Sequence, residues 1–156
     1  MDLTDLTANE AVFPQLRASS KKNLLQELAQ RMAGLVGTDH RELFAALLER
    51  ERLGSTGMGR GVAIPHCRIP QTQKLIGGFA RLEQPIDFEA VDGEPVDLVY
   101  VLIAPENAGS DHLKALARIS RALRDQTMCQ KLRGAHDAAA IYSLLADHEE
   151  ASSHAA

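Results

Sequence analysis

The stretch Arg50-Glu-Arg-Leu-Gly-Ser-Thr-Gly-Met-Gly-Arg-Gly-Val-Ala-Ile-Pro-His66 passes from the end of a helical pattern through a glycine-dense loop into a short apolar segment, and then presents a proline followed by one histidine. Pro65 lacks an amide hydrogen and disfavours helical geometry at Ile64. Val62-Ala-Ile-Pro65 is therefore expected to be an extended strand that ends beside His66. An imidazole placed there is held with little rotational freedom and with at least one ring nitrogen toward a surface depression.

On the N-terminal side, Leu24, Leu25, Leu28, Met32 and Leu35 recur at helical spacing within residues 20–36, and Gly34 and Gly37 stand where that helix should end. A second helix is expected from Thr38-Asp39, where Asp39 and Glu42 have capping-box spacing, with Leu43, Phe44, Leu47 and Leu48 on its apolar side and Arg50 and Arg52 in its last turn. On the C-terminal side, Leu75-Ile-Gly-Gly-Phe-Ala-Arg-Leu82 and Val96-Asp-Leu-Val-Tyr-Val-Leu-Ile-Ala104 read as strands. The second is apolar enough to lie at the centre of a sheet covered on both faces. Helical periodicity resumes at Ser110, with Leu113, Leu116, Ala117, Ser120 and Leu123 on one side, and a last helix is expected near 137–146. The expected class is α/β, a mixed β-sheet flanked by helices in a single layered domain. Residues 1–10 read as an N-terminal segment, 11–146 as the domain, and 147–156, which lack periodicity, as a frayed, disordered tail.

Bulk properties narrow the function. A chain of 156 residues with 45% hydrophobic content can bury one substantial core. Lys plus Arg number 17 against 21 Asp plus Glu, a formal net charge of -4 without a basic run, which argues against nucleic acid as a partner. No window approaches the roughly 20 apolar residues of a membrane span, and the N-terminus lacks the basic region of a secretory signal, so a cytoplasmic protein without membrane insertion is expected. The two cysteines, Cys67 and Cys129, are too few for a disulfide framework and fit no CxxC pattern. Cys129 reads as a small core residue, and His40, His136, His148 and His154 as surface or tail residues.

Among the chemistry-bearing residues, an isolated Pro-His pair is more often structural than catalytic. His66 nevertheless offers a neutral imidazole nitrogen near pH 7 that can attack phosphorus. Gly54, Gly57, Gly59 and Gly61 could let backbone amides approach an anion closely, with Ser55 and Thr56 beside them, or could simply form a tight turn. The loop lacks both the Gly-Lys-Ser/Thr ending of a P-loop and the GxGxxG of a dinucleotide site. His112, after Ser110 and Asp111 at a helix start, could hold a phosphoryl group by hydrogen bonding or could be an exposed first-turn residue. Arg50 could neutralise a phosphoryl dianion or could complement a helix C-terminus. His66 and Cys67 should point to opposite sides of an extended segment, which argues against a Cys-His nucleophilic pair; His66, Cys67 and His112 lack a fourth zinc ligand. No metal and no cofactor are expected.

Arg50-Glu51, Gly54-Ser-Thr-Gly57, Gly61-Val-Ala-Ile-Pro-His66, Pro85-Ile-Asp-Phe88, Pro95-Val-Asp-Leu98 and His112-Leu-Lys-Ala-Leu116, taken in order, resemble the IIA domain of the bacterial phosphoenolpyruvate-dependent phosphotransferase system. The resemblance is to the mannitol/fructose class, and within it to the nitrogen-regulatory IIA proteins, and runs from about residue 11 to about residue 146. It implies that His66 is phosphorylated by a phosphohistidine on an HPr/NPr-like phosphocarrier protein, that His112 and Arg50 are the second active-site histidine and the active-site arginine, and that the protein is a histidine phosphotransferase component of a phosphorelay. Sixteen residues separate Arg50 from His66 and forty-six separate His66 from His112, as the family leads one to expect. Cys67 departs from it, standing where a glycine is expected and adding bulk and an oxidisable thiol beside the site. The resemblance suggests potassium-transport or sensor-kinase targets. A sugar-specific IIA that forwards phosphate to a IIB component, and a binding module that works without phosphate, are the alternatives.

Overall fold

The computed structural model describes residues 2–155, with side chains through residue 147. In chain order the elements are α1 (Leu3–Leu6), β1 (Thr7–Leu16), α2 (Lys21–Val36), α3 (His40–Leu53), β2 (Gly57–Gly59), β3 (Val62–Ala63), β4 (His66–Ile69), β5 (Ile76–Ile86), β6 (Val96–Pro105), α4 (Ser110–Arg124), α5 (Gln126–Gly134) and α6 (Ala138–Ala155). The mixed sheet has the order β1-β5-β6-β3-β2, with β4 also paired to β6.

Strand β6 carries the architecture. Its apolar run has no polar face to give to water, and every residue from Leu98 to Ala104 is at most 1% exposed. Val99, Val101 and Ile103 belong to the cluster that also holds the buried leucines of α2 and α3. Leu98, Tyr100 and Leu102 belong to the cluster built with α4, α5 and α6. The period-two alternation of a strand thus divides one continuous apolar sequence between two layers of helix. β5 runs antiparallel along one edge of β6, while β3 and then β4 run parallel along the other.

β3 and β4 differ from the expected single strand. The chain breaks at Ile64-Pro65 and resumes pairing at His66, so the histidine begins a strand rather than following the end of one. Pro65 donates nothing, but its carbonyl accepts from the Leu102 amide, which keeps the two short strands in one line.

Of the expected N-terminal segment, residues 2–10 are built into the domain. Leu3 and Leu6 are buried, and β1 begins at Thr7 and pairs in parallel with β5. β1 lay hidden in the sequence because Asn9, Glu10, Pro14 and Gln15 interrupt its apolar residues. An edge strand tolerates such residues, proline included. Where β1 meets the sheet, the Thr7 and Tyr100 hydroxyls are hydrogen-bonded at 2.6 Å in the interior. Gly77, opposite Thr7, is required there, since a Cβ on it would lie 2.4 Å from the Tyr100 hydroxyl.

The helices α2 and α3 follow expectation. Ser20 caps α2 by accepting from the Asn23 amide, and Gly37, at φ 79°, closes it in the left-handed conformation. Asp39 caps α3, but its carboxylate accepts from the Arg41 amide, and Glu42 accepts from the Thr38 hydroxyl instead of completing a capping box. α4 is rotated relative to the apolar face read from sequence: its buried residues are His112, Ala115, Ile119, Ala122 and Leu123, whereas Leu113 is 66% exposed. The face read from sequence was anchored on Leu113, whereas the first inward position is occupied by a histidine. Asp125 caps a separate helix, α5, that periodicity did not separate from α4.

α6 continues to Ala155, beyond the end expected near residue 146. Residues 147–155 contain alanine and glutamate and neither glycine nor proline, so no local signal stops the helix. Side chains from 148 onward lie outside the described residues, as do those of His148 and His154; His40 and His136 are exposed and Cys129 is buried, as expected. Among the described residues no helix is long and apolar enough to cross a membrane.

Tyr100→Phe leaves the buried Thr7 hydroxyl without its partner. It should lower unfolding free energy by about 1–3 kcal/mol in urea titrations, and most of that loss should be recovered in the double variant Thr7→Val/Tyr100→Phe, which removes both polar groups.

Candidate functional site

β4 places His66 and Arg68 on one face and Cys67 and Ile69 on the other, the latter pair buried. His66 is half-buried, and its Nδ1 lies 2.7 Å from the Ile64 carbonyl oxygen. A carbonyl only accepts, so Nδ1 carries the proton and Nε2 holds the lone pair. Burial, followed by the charge of Arg50, lowers the His66 pKa, against a raising effect from the Ile64 carbonyl and Glu51. The neutral ring, with its nucleophilic nitrogen at Nε2, is the form expected at pH 7.

The second ring comes from across the sheet. His112, in the first turn of α4, stands with its ring centroid 5.6 Å from that of His66 and at 74° to it. It is 6% exposed, which excludes the exposed first-turn alternative. Its Nδ1 accepts a 2.9 Å hydrogen bond from Arg68 Nε, so the proton of the neutral ring is on Nε2. That Nε2 is buried and has no hydrogen-bond partner among the described residues. Burial is the main reason that the His112 pKa falls to about 4, and the nearby His66, Arg68 and Arg50 charges lower it further. The two imidazoles are thus in opposite tautomers, one offering a lone pair at Nε2 and the other an N–H.

Arg50 lies close enough for its charge to disfavour protonation of both rings. Its Nη1 donates to the Gly54 carbonyl at 2.9 Å, which ties the guanidinium to the end of α3. The loop after it is held by Glu51. That buried carboxylate pairs with Lys21 Nζ at 2.8 Å and accepts from both the amide and the hydroxyl of Thr56. Lys21 also sits over the Phe88 ring, 4.9 Å from its centroid.

The glycine loop is not an anion nest around His66. The Ser55 hydroxyl donates to the Phe88 carbonyl and accepts from the Gly57 amide, and the Thr56 amide is bonded to Glu51. Gly57 is a site of close packing, where a Cβ would lie 2.8 Å from the Ala90 backbone. Gly59 and Gly61 belong to the turn between β2 and β3, both with positive φ, against Asp92 and the Arg133–Asp97 ion pair. Val62 pairs with Leu98 and His66 with Leu102, so at about 3.3 Å per residue the turn lies roughly 13 Å along the sheet from the imidazole. The alternative of a tight turn is the one realised.

Cys67 points to the side opposite His66, as expected for an extended segment. It does not add bulk or an oxidisable thiol beside the site: it is 5% exposed on the opposite face, and burial pushes its thiol up to about 12, so neither its bulk nor its chemistry reaches the histidines. Arg68 was missed, although its position two residues after His66 on an extended segment is a legible signal that the two share a face.

A sheet-edge histidine facing a second, buried histidine, with an arginine at the end of a neighbouring helix, defines a site suited to transient phosphoryl transfer. The chain belongs to the family described as phosphoenolpyruvate-dependent sugar phosphotransferase system, EIIA 2, which matches residues 5–148. Its relatives include a nitrogen regulatory protein of Bradyrhizobium diazoefficiens, 59% identical over 146 residues that span 94% of this chain and 95% of the relative. Among solved structures, the nitrogen regulatory protein IIA-Ntr from Neisseria meningitidis superposes with a TM-score of 0.87 at 31% identity, covering 92% of this chain and 98% of that one. IIA mannitol from Escherichia coli shares the fold, with a TM-score of 0.75 at 21% identity over 88% of this chain and 97% of that one.

Two outcomes follow from this geometry. Gly61→Ala forces a side chain into φ 83° and against Asp97 and Arg133; it should cost about 2 kcal/mol in chemical denaturation. His112, whose folded pKa is below its unfolded value of about 6.5, binds fewer protons folded than unfolded. Its contribution to stability is therefore complete above pH 6.5 and is lost as pH falls toward 4. Unfolding free energies measured across that window should fall less steeply in His112→Asn than in the wild type.

Proposed function

We propose that the protein is a phosphoryl-carrier and regulatory IIA protein of the nitrogen-regulatory type. His66 accepts a phosphoryl group from a phosphohistidine on an HPr/NPr-like carrier, and partner proteins respond to whether it is phosphorylated. The observation that carries this reading is the opposite tautomeric state of the two facing imidazoles.

In the transfer step the Nε2 lone pair of His66 forms the new P–N bond in line with the P–N bond that breaks, and the carrier imidazole leaves with that electron pair. Positive charge develops on the His66 ring as phosphorus arrives, and the Ile64 carbonyl, already bonded to Nδ1–H, stabilises it. Negative charge is spread over the three equatorial oxygens, and the Nε2–H of His112, which has no partner among the described residues, and the Arg50 guanidinium are the groups that stabilise it. Between two imidazoles the bonds broken and made are alike, so positioning and charge stabilisation supply the catalysis.

Phosphorylation adds about −1.5 to −2 charges where the unmodified protein presents a neutral ring with Arg50 close by. Partners that dock over His66 therefore discriminate between the two forms. The similarity to nitrogen regulatory proteins favours a regulatory output over sugar transport. The proposed targets, potassium-transport or sensor-kinase proteins, rest on the family resemblance alone.

Intact mass after incubation with phosphoenolpyruvate, enzyme I and the phosphocarrier protein is the decisive measurement. The wild type should gain one acid-labile phosphoryl group and His66→Ala none, while His112→Ala should be phosphorylated about 10²-fold more slowly without loss of fold. No gain in the wild type with active upstream proteins would overturn the relay. Efficient onward transfer to a sugar-specific IIB would replace the regulatory reading with the sugar-transport one.

A further inference from the structure

We infer that Arg68 is a positioning residue that holds His112 in the Nε2–H tautomer and ties the helix bearing it to the strand bearing His66. The inference rests on the phosphoryl-transfer reading above and adds to it the group that makes His112 a donor.

Three contacts support it. Arg68 Nε donates to His112 Nδ1 at 2.9 Å, Nη1 to the Glu106 carbonyl at 3.4 Å, and Nη2 to the Gly109 carbonyl at 3.4 Å. Gly109 is the N-cap of α4, in an unusual conformation at φ 59° and without a side-chain cap. One guanidinium therefore reaches both the ring and the backbone turn from which the helix starts, while its own strand carries the acceptor two residues earlier. Histidine tautomers are close in energy and are selected by the partner of one nitrogen. An arginine does not give up its proton in a protein, so the nitrogen it faces must keep its lone pair. The remaining proton lies on Nε2, the buried atom with no partner among the described residues. A buried unpaired donor is unfavourable by itself, and a phosphoryl oxygen is the kind of acceptor that would satisfy it.

His66 and Arg68 from β4 and Arg50 from α3 disfavour protonation of the ring; Asp111, its exposed neighbour on α4, is the nearby acid in sequence. Without Arg68, Nδ1 is free to take a proton, and the ring can present a lone pair at Nε2 to an incoming phosphoryl group, which repels it.

The test combines long-range proton–nitrogen spectra of ¹⁵N-histidine-labelled protein with phosphorylation rates, for wild type, Arg68→Met and Arg68→Lys. Arg68 is exposed, so the fold should survive, and the amide spectrum reports whether it does. In the wild type at pH 7, His112 should show a protonated Nε2 and an unprotonated Nδ1. Arg68→Met should show averaging between the two nitrogens or an imidazolium pattern, with transfer to His66 slower by about 10–100-fold, the range typical of losing a residue that orients a functional histidine. Arg68→Lys, which keeps a cationic donor, should recover part of both signals. A His112 pattern unchanged in Arg68→Met, or a changed pattern with transfer within about twofold of wild type, would overturn the inference. Absence of phosphorylation in the wild type would instead remove the relay reading, while the spectra would still decide whether Arg68 sets the tautomer.

Discussion

Burial of β6 on both faces is the constraint from which the rest of the structure follows. A seven-residue stretch at most 1% exposed must be covered on each side. Strand alternation gives Val99, Val101 and Ile103 to one helical layer and Leu98, Tyr100 and Leu102 to the other. The backbone groups of such a strand also need partners along both edges, because unsatisfied buried amides and carbonyls are costly. β5 fills one edge. On the other, the chain supplies two short parallel pieces, β3 and β4, separated by a proline. The functional histidine is the first residue of the second piece, so its height on the sheet is set by the register of β4 against Leu102 rather than by its own loop.

The same layering explains why the two imidazoles differ. His66 stands at a strand edge with its proton directed to a carbonyl two residues back, a purely local contact. His112 is brought over the sheet by α4, whose inward stripe it begins, and its proton is placed by an arginine from β4. Two rings of identical chemistry thus acquire complementary roles from hydrogen-bond partners alone. Both are kept neutral by burial, and the cationic neighbours Arg50 and Arg68 add to that for His112, while leaving positive charge available to an anion. Cations that discourage protonation of a ring also favour the arrival of a dianion, so the electrostatics suit the phosphoryl transfer proposed for the site.

What could be read from the chain depended on the range of the contact involved. α2 and α3 were legible because their apolar residues recur at helical spacing and Ser20, Gly37 and Asp39 mark their ends. β6 was legible as a central strand because few soluble segments are so continuously apolar. β1 was not, since an edge strand keeps polar residues and even Pro14, and its place is decided by pairing with β5 and by the Thr7–Tyr100 bond, ninety-three residues apart. The inward face of α4 was misjudged for a related reason: a pattern of aliphatic residues cannot announce a buried histidine. The glycines at 59 and 61 illustrate the opposite error, where a composition that suits anion binding serves a reverse turn, Gly59 packed on Asp92 and Gly61 on Arg133 and Asp97.

The sequence by itself determined the class of fold and the family and nominated His66 as the candidate nucleophile, because those rest on local periodicity and on motifs contiguous along the chain. Only the tertiary structure decided which nitrogen of His66 is free, that His112 is buried with a donor that has no partner among the described residues, that Cys67 faces the core, and that Arg68 joins the two halves of the site. The physical reason is that tautomer, burial and electrostatic surroundings are properties of groups brought together by the fold, and Arg68 and the ring it holds are forty-four positions apart in the chain.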